Sequence, residues 1–195
     1  MTSAEPLAAS RLRPVPYSAA QKRVITAALE LFTTHGVGGT SLQMIADAAG
    51  ITKASVYYQF RTKEEIVIAA AEVDLARLEQ ALDAAEAEHD RQHALEVLLP
   101  RLVDLAVDNR RMVSMLQNDP VMVRLVAEYE PFRELMDRLH HLLVGDDPRT
   151  DQRVPAAALS AAIGSAATHP LVVDLDDDTL RASLLDLARR FLHLP

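Results

Sequence analysis

From Thr52 to Lys63 the chain reads Thr-Lys-Ala-Ser-Val-Tyr-Tyr-Gln-Phe-Arg-Thr-Lys. The side chains offer hydroxyls, cations and one amide, with no carboxylate among them. Groups of this kind hold phosphate oxygens and touch base edges. Val56 and Phe60 stand at i, i+4 and are expected to turn inward. Lys53, Ala54, Ser55, Tyr57, Tyr58 and Gln59 are then left on the outer face of a short helix, a shape that enters a major groove.

Other chemistry is sparse. The chain has no glycine-rich phosphate loop and no nucleophile–base arrangement, so it is not expected to be an enzyme or to carry a cofactor. His89 and His93 stand at a spacing able to bind a metal, but no third ligand is evident in the sequence. A solvated, charged helix end is the preferred reading there, and no metal is expected.

The elements that must position the outward set come just before and after it. Thr40 or Ser41 can cap a helix whose inner face is Leu42, Ile45, Ala46 and Ala49. Gly50 stops that helix, because glycine takes positive φ without steric cost. Thr52 caps the next. Two short helices joined by a tight turn result, and periodicity alone leaves an ordinary helical hairpin open. Ser18 caps a longer helix in front, with Val24, Ile25, Ala28, Leu29 and Phe32 inward and Gly36 as its positive-φ end. Thr62 caps the helix behind, with Glu65 placed as in a capping box. Lys63 lies in that helix's first turn, where the dipole disfavours a cation. A phosphate at the helix terminus is the expected reason for it.

This stretch resembles the DNA-binding domain of the tetracycline-repressor (TetR) family. The matching pieces run from Ala27-Ala28-Leu29-Glu30-Leu31-Phe32 through Gly36, Thr40-Ser41, Ile45-Ala46 and Ala49-Gly50-Ile51-Thr52-Lys53. They continue with Val56-Tyr57-Tyr58-Gln59-Phe60 and Lys63-Glu64-Glu65. The resemblance covers about Ala20 to Ala70. It implies a three-helix domain whose third helix enters the major groove, a larger helical regulatory domain, a homodimer, and repression relieved by a small molecule. It also implies roles. Thr40 and Ser41 would hold phosphate, and Thr52 and Lys53 would start the recognition helix. Ala54, Ser55 and Tyr58 would face bases or sugar, and Tyr57 and Lys63 would grip phosphate. Gln59 stands where the family commonly has His, and Ala54 where it often has Gly.

Composition agrees with a basic head on an acidic body. The 195 residues carry a net charge of −8, with all three lysines in the first 63. Residues 1–63 hold seven Lys/Arg against three Asp/Glu, a net of +4; the remaining thirteen against twenty-five give −12. Such a balance argues against indiscriminate coating of nucleic acid and for one DNA-facing end. The absence of Cys fits a reducing compartment. With no apparent signal peptide or membrane-length apolar run, a cytoplasmic location without membrane contact is expected.

The expected fold class is all-α: a flexible arm (1–17), a helix-turn-helix domain (18–64) and a helical regulatory and dimerisation domain (65–195). In the last, Met112, Met115, Met122, Tyr129, Phe132 and Met136, with His140 on the flank, either line an adaptable effector pocket or fill an ordinary core. Leu159 and Ile163 lie in an Ala-rich helix, and Leu180, Leu184, Leu187 and Phe191 form a stripe on the last one. Two adjacent apolar helices at the chain's end are read as a four-helix dimer seam, or as closing the monomer core. The expected function is a ligand-responsive transcriptional regulator. It would bind a palindromic double-stranded operator as a dimer and be released by a small apolar effector. The alternative is a helical small-molecule-binding protein that does not read DNA.

Overall fold

The computed structural model describes residues 16–145, 150–192 and 194. Most of the expected arm, with Arg11 and Arg13, lies outside the described residues, as do residues 146–149. Among the described residues the regular elements are all helical. They are α1 (Ala19–Gly39), α2 (Leu42–Ala49), α3 (Lys53–Gln59), α4 (Lys63–Glu86) and α5 (Arg91–Asp108), followed by α6 (Arg110–Asn118), α7 (Pro120–Glu128), α8 (Glu130–Val144), α9 (Thr150–Ala166) and α10 (Asp177–Phe191).

The first four helices start where a hydroxyl can accept an orphan amide. Ser18 accepts from the Gln21 amide, Ser41 from Met44, Thr52 from Ser55 and Thr62 from Glu65. The Glu65 carboxylate bends back to the Arg61 amide (2.8 Å) rather than to the cap residue itself. Gly50 ends α2 in the left-handed region at φ 65°. Gly36 interrupts α1 at φ 70°, and a Cβ there would lie 3.1 Å from the Asp119 carboxylate. Both positions therefore need glycine, the second also for close approach.

Two apolar cores share α4. The head core joins Val24, Phe32, Ile45, Val56, Phe60 and Ile66 with Met112, Met115 and Met122. The body core joins Leu75, Leu78 and Leu82 of α4 with α5, α8, α9 and α10. The expected domain boundary at 64/65 thus falls in the first turn of a continuous helix, and α6 and α7 of the body complete the core of the head.

One helix expected from Arg91 to Arg111 ends instead at Asp108, because Asn109 leaves helical geometry at φ −119°, ψ 36°. The break changes the direction of the apolar stripe. Leu95, Leu98 and Leu99 serve the body, while Met112 and Met115 serve the head.

The corner between α1 and α2 is held from two sides. Lys63 Nζ donates to the carbonyls of Val37 (2.8 Å), Gly38 (3.3 Å) and Thr40 (3.4 Å). Opposite it, the Val37 amide donates to the Asp119 carboxylate (2.7 Å). That carboxylate also accepts from Val121 (2.8 Å) and Met122 (3.1 Å), capping α7. Burial would raise the Asp119 pKa, but the three amides and the nearby Lys63 outweigh it and hold the group below the usual carboxylate value. Lys63→Met should leave these carbonyls without their cation. We expect a loss of about 1–3 kcal/mol, read as a lowered urea midpoint with faster amide exchange at residues 37–40. An unchanged midpoint would remove Lys63 from this role.

Candidate nucleic-acid interface and interior cavity

The third helix is short and presents its polar side outward. Val56 is fully buried and Phe60 is 5% exposed, so α3 is fastened to the head core by one side. Thr52, Lys53, Ala54 and Ser55 are exposed, Tyr57 is 55% exposed and Tyr58 94%. An aromatic ring left almost wholly in water forfeits the burial that normally places tyrosine, so its position fits contact with something outside the chain. Lys53, Ala54, Tyr57 and Tyr58 line an open surface notch together with Arg61. Neither Lys53 nor Arg61 has an ion-pair partner among the described residues, which leaves both cations for an external anion.

Arg61 received no role from the sequence. Its signal was available: it is the first residue past the C-cap of α3, on the same end as Tyr57 and Tyr58.

Three expected contact residues have other tasks in the structure. Thr40 is 3% exposed, and its hydroxyl donates to the Gly36 carbonyl (2.8 Å), so Ser41 alone of that pair is at the surface. Lys63 is occupied by the carbonyls of the α1–α2 corner, which accounts for a cation at the start of α4 without any phosphate. Gln59 donates its amide to the Ser55 carbonyl (3.1 Å), and its Oε1 is buried without a partner among the described residues.

The expected pocket residues separate into two groups. Met112, Phe132, Met136 and His140 do line one cavity of about 280 Å³ between α4, α5, α6, α8 and α9. Met115 and Met122 do not; they belong to the head core. Tyr129 donates to the Glu72 carboxylate (2.9 Å), which Tyr17 also reaches through its hydroxyl. Burial first, and then these bonds, push both phenols above their ordinary pKa. The methionines looked alike because flexible apolar side chains fill cores and line pockets equally well.

The expected dimer residues divide in the same way. Leu159, Ile163, Leu180 and Leu184 are buried inside the single chain, and Leu159 and Ile163 line the cavity. Leu187 and Phe191 are half-buried. The outer side of α9 is a different stripe: Val154, Ala157, Ala158, Ala161 and Ser165, all exposed.

At His89 and His93, Asp90 supplies the third donor not evident from the sequence, all three within 4.8 Å. The same Asp90 caps α5 and binds the His93 ring (2.7 Å), which explains its place and raises the His93 pKa.

Among the described residues the cavity wall carries one acid, Asp74, and no Lys or Arg. Burial pushes the Asp74 carboxyl up to about 6; Arg77 lowers it and Asp108 raises it. An acid whose folded pKa lies above its unfolded value of about 4 binds more protons when folded. Stability is then lost as pH rises between those values and stays reduced above them. Asp74→Asn should therefore stabilise the fold near neutral pH by on the order of 1–2 kcal/mol, after allowance for solvent screening. The gain should vanish below about pH 4, as thermal melts across pH would show.

Residues 24–70 match the family profile of bacterial regulatory proteins, tetR family. Among curated proteins, HTH-type transcriptional regulator RutR of Escherichia coli (strain K12) is 42% identical over 52 residues, 27% of this chain and 24% of that protein. HTH-type transcriptional regulator AcrR of Shigella flexneri is 29% identical over 98 residues, 49% of this chain and 46% of that protein. The matched part thus spans less than half the length of these relatives. Solved structures are similar over most of the chain. A TetR-like transcriptional regulator from Rhodococcus sp. RHA1 has a TM-score of 0.68 at 23% identity, covering 92% of this chain and 98% of that one. AibR in complex with isovaleryl coenzyme A and operator DNA has a TM-score of 0.65 at 17% identity, covering 86% and 97%. At these identities the likeness establishes the fold, and the family match is confined to residues 24–70. Residues 24–70 are thus similar to the N-terminal domain of the tetR family of bacterial regulatory proteins.

Proposed function

We propose that the protein is a ligand-responsive transcriptional repressor that binds a two-fold operator as a homodimer. The observation that carries the reading is the face of α3. A cation, hydroxyls and two exposed tyrosines stand on a helix fastened only by its other side. Ser41, Thr52, Lys53, Tyr57 and Arg61 contact phosphate, and Ala54, Ser55 and Tyr58 reach sugar and base edges. Thr40 and Lys63 act indirectly, by fixing the corner that aims α2 and α3.

Three further observations support the reading. The unpaired cations lie on the head of an otherwise acidic chain, which orients the approach to DNA. The body holds a largely apolar cavity, and a solved neighbour of the same fold carries both a small ligand and operator DNA. The exposed small residues of α9 let a second copy's helix come close, which suits a symmetric seam. The cytoplasm is the compartment where such a protein meets DNA, and no described helix is long and apolar enough to cross a membrane.

An operator can be selected from random duplexes and binding followed by fluorescence anisotropy. Lys53→Ala should weaken binding to every sequence and lower the slope of log affinity against log salt by about 1. Tyr58→Ala should instead shift the selected sequence. No enrichment of any duplex by the parent protein would overturn the regulatory reading in favour of small-molecule binding alone. Ala161→Arg places a charge in the proposed seam. Sedimentation should then report a monomer where the parent is a dimer, with the helical content intact.

A further inference from the structure

We infer that the interior cavity selects a small lipophilic cation, an ammonium on an apolar body, with Asp74 as its counter-ion. The inference rests on the proposed role of the cavity as the effector site and names the chemistry of its ligand.

The argument starts from what surrounds Asp74. Its carboxylate lies in the cavity wall among Leu75, Leu78, Met112 and Phe132, and it accepts no hydrogen bond among the described residues. Asp74 is half-buried, and a carboxylate partly withdrawn from water gains from a cation or from a proton. Arg77, the cation whose field reaches Asp74, is shared with another acid. Arg77 is bonded to Asp108 (2.7 Å), which Arg181 also holds (2.6 Å). Asp108 in turn adds negative potential at Asp74. Among the described residues the wall has no Lys or Arg, and His140, the other titratable side chain among them, is exposed to solvent. The site therefore has an acid without a base, and a positively charged ligand would supply the missing charge.

The same wall rejects the opposite charge. A carboxylate or phosphate ligand would face Asp74 with no lysine or arginine among the described lining residues to balance it. This separates the chain from those structural neighbours that hold acyl coenzyme A, a polyanion. Size adds a second limit. At about 280 Å³ the cavity lies at the small end of ligand pockets, so one ring or a short alkyl chain fills it. In the same wall as Asp74, the Asn109 amide nitrogen is buried without an acceptor among the described residues. It lines the same cavity and can donate to one neutral oxygen on the ligand.

Three probes of similar shape test the charge rule: 2-phenylethylamine, 2-phenylethanol and phenylacetate. Each is titrated into the full chain by calorimetry near neutral pH, with thermal shift as a second readout. The amine should bind at least about tenfold more tightly than the alcohol, and phenylacetate most weakly. In Asp74→Asn the amine and the alcohol should bind within about twofold of each other, with alcohol binding retained. Tighter binding of the alcohol or of phenylacetate to the parent would overturn the inference, as would an amine preference that survives in Asp74→Asn. Failure of all three to bind would overturn both it and the role of the cavity. Amine binding with the expected preference but without effect on operator occupancy would uphold the charge rule and overturn the regulatory reading alone.

Discussion

The pose of the outward helix depends on a corner of five residues, 36 to 40, where α1 turns into α2. A helix end leaves carbonyls without partners and carries the negative pole of the dipole. Here Lys63 satisfies three carbonyls of that turn, while Asp119 takes the Val37 amide on the other side. The two charges come from 26 and 82 residues away. One is the first residue of α4 and the other caps α7, so the direction of α2 is fixed jointly by the connecting helix and by the body. Gly36 makes this possible, since a side chain there would meet the Asp119 carboxylate.

The two cores extend the same dependence. Met112 belongs to the apolar cluster of the head and also lines the cavity of the body. A ligand that displaces this side chain must repack residues beneath α1 and α4. Glu72 adds a polar tie, because it takes hydroxyls from Tyr17 before α1 and from Tyr129 at the α7–α8 break. Head and body therefore meet through the methionines of α6 and α7, two carboxylates and α4 itself. Coupling between sites needs such contiguous contacts together with two arrangements that a ligand can tell apart. The contacts occupy a small region around the start of α6 and the middle of α4.

Local signals made the head legible in the sequence. The caps at Ser18, Ser41, Thr52 and Thr62 and the turn at Gly50 act over three or four residues, and each was readable from its neighbours. The inward positions Val56 and Phe60 followed from period alone. The structural role of Lys63 was not legible, because its partners are backbone carbonyls 23 to 26 residues earlier, and a carbonyl leaves no mark on the sequence. The body was less legible for another reason. Leu159, Ile163, Leu180 and Leu184 show the spacing of a buried stripe, but spacing does not tell which helix covers it. The outer alanine stripe of α9 carries little hydrophobic signal, because alanine is equally at home inside and outside.

Arrangement of charge, rather than its amount, distinguishes the two ends. In the body, several arginines are spent on nearby acids. Arg138 lies between Asp83 and Glu86, and Arg181 between Asp104, Asp108 and Asp178. Exposed pairs of this kind add little stability, but they shorten the reach of each charge, since opposite charges close together cancel at a distance. In the head, Lys53 and Arg61 have no such partner among the described residues. Their field extends outward about as far as the ionic strength allows, roughly 8–10 Å in ordinary salt. A chain with a net charge of −8 can in this way present a positive end to a polyanion while its acidic body faces away. The pairing in the body and its absence on α3 are two sides of one electrostatic design. Asp74, left beside Asp108 while the nearby arginine is already engaged, is the interior counterpart of those unpaired cations.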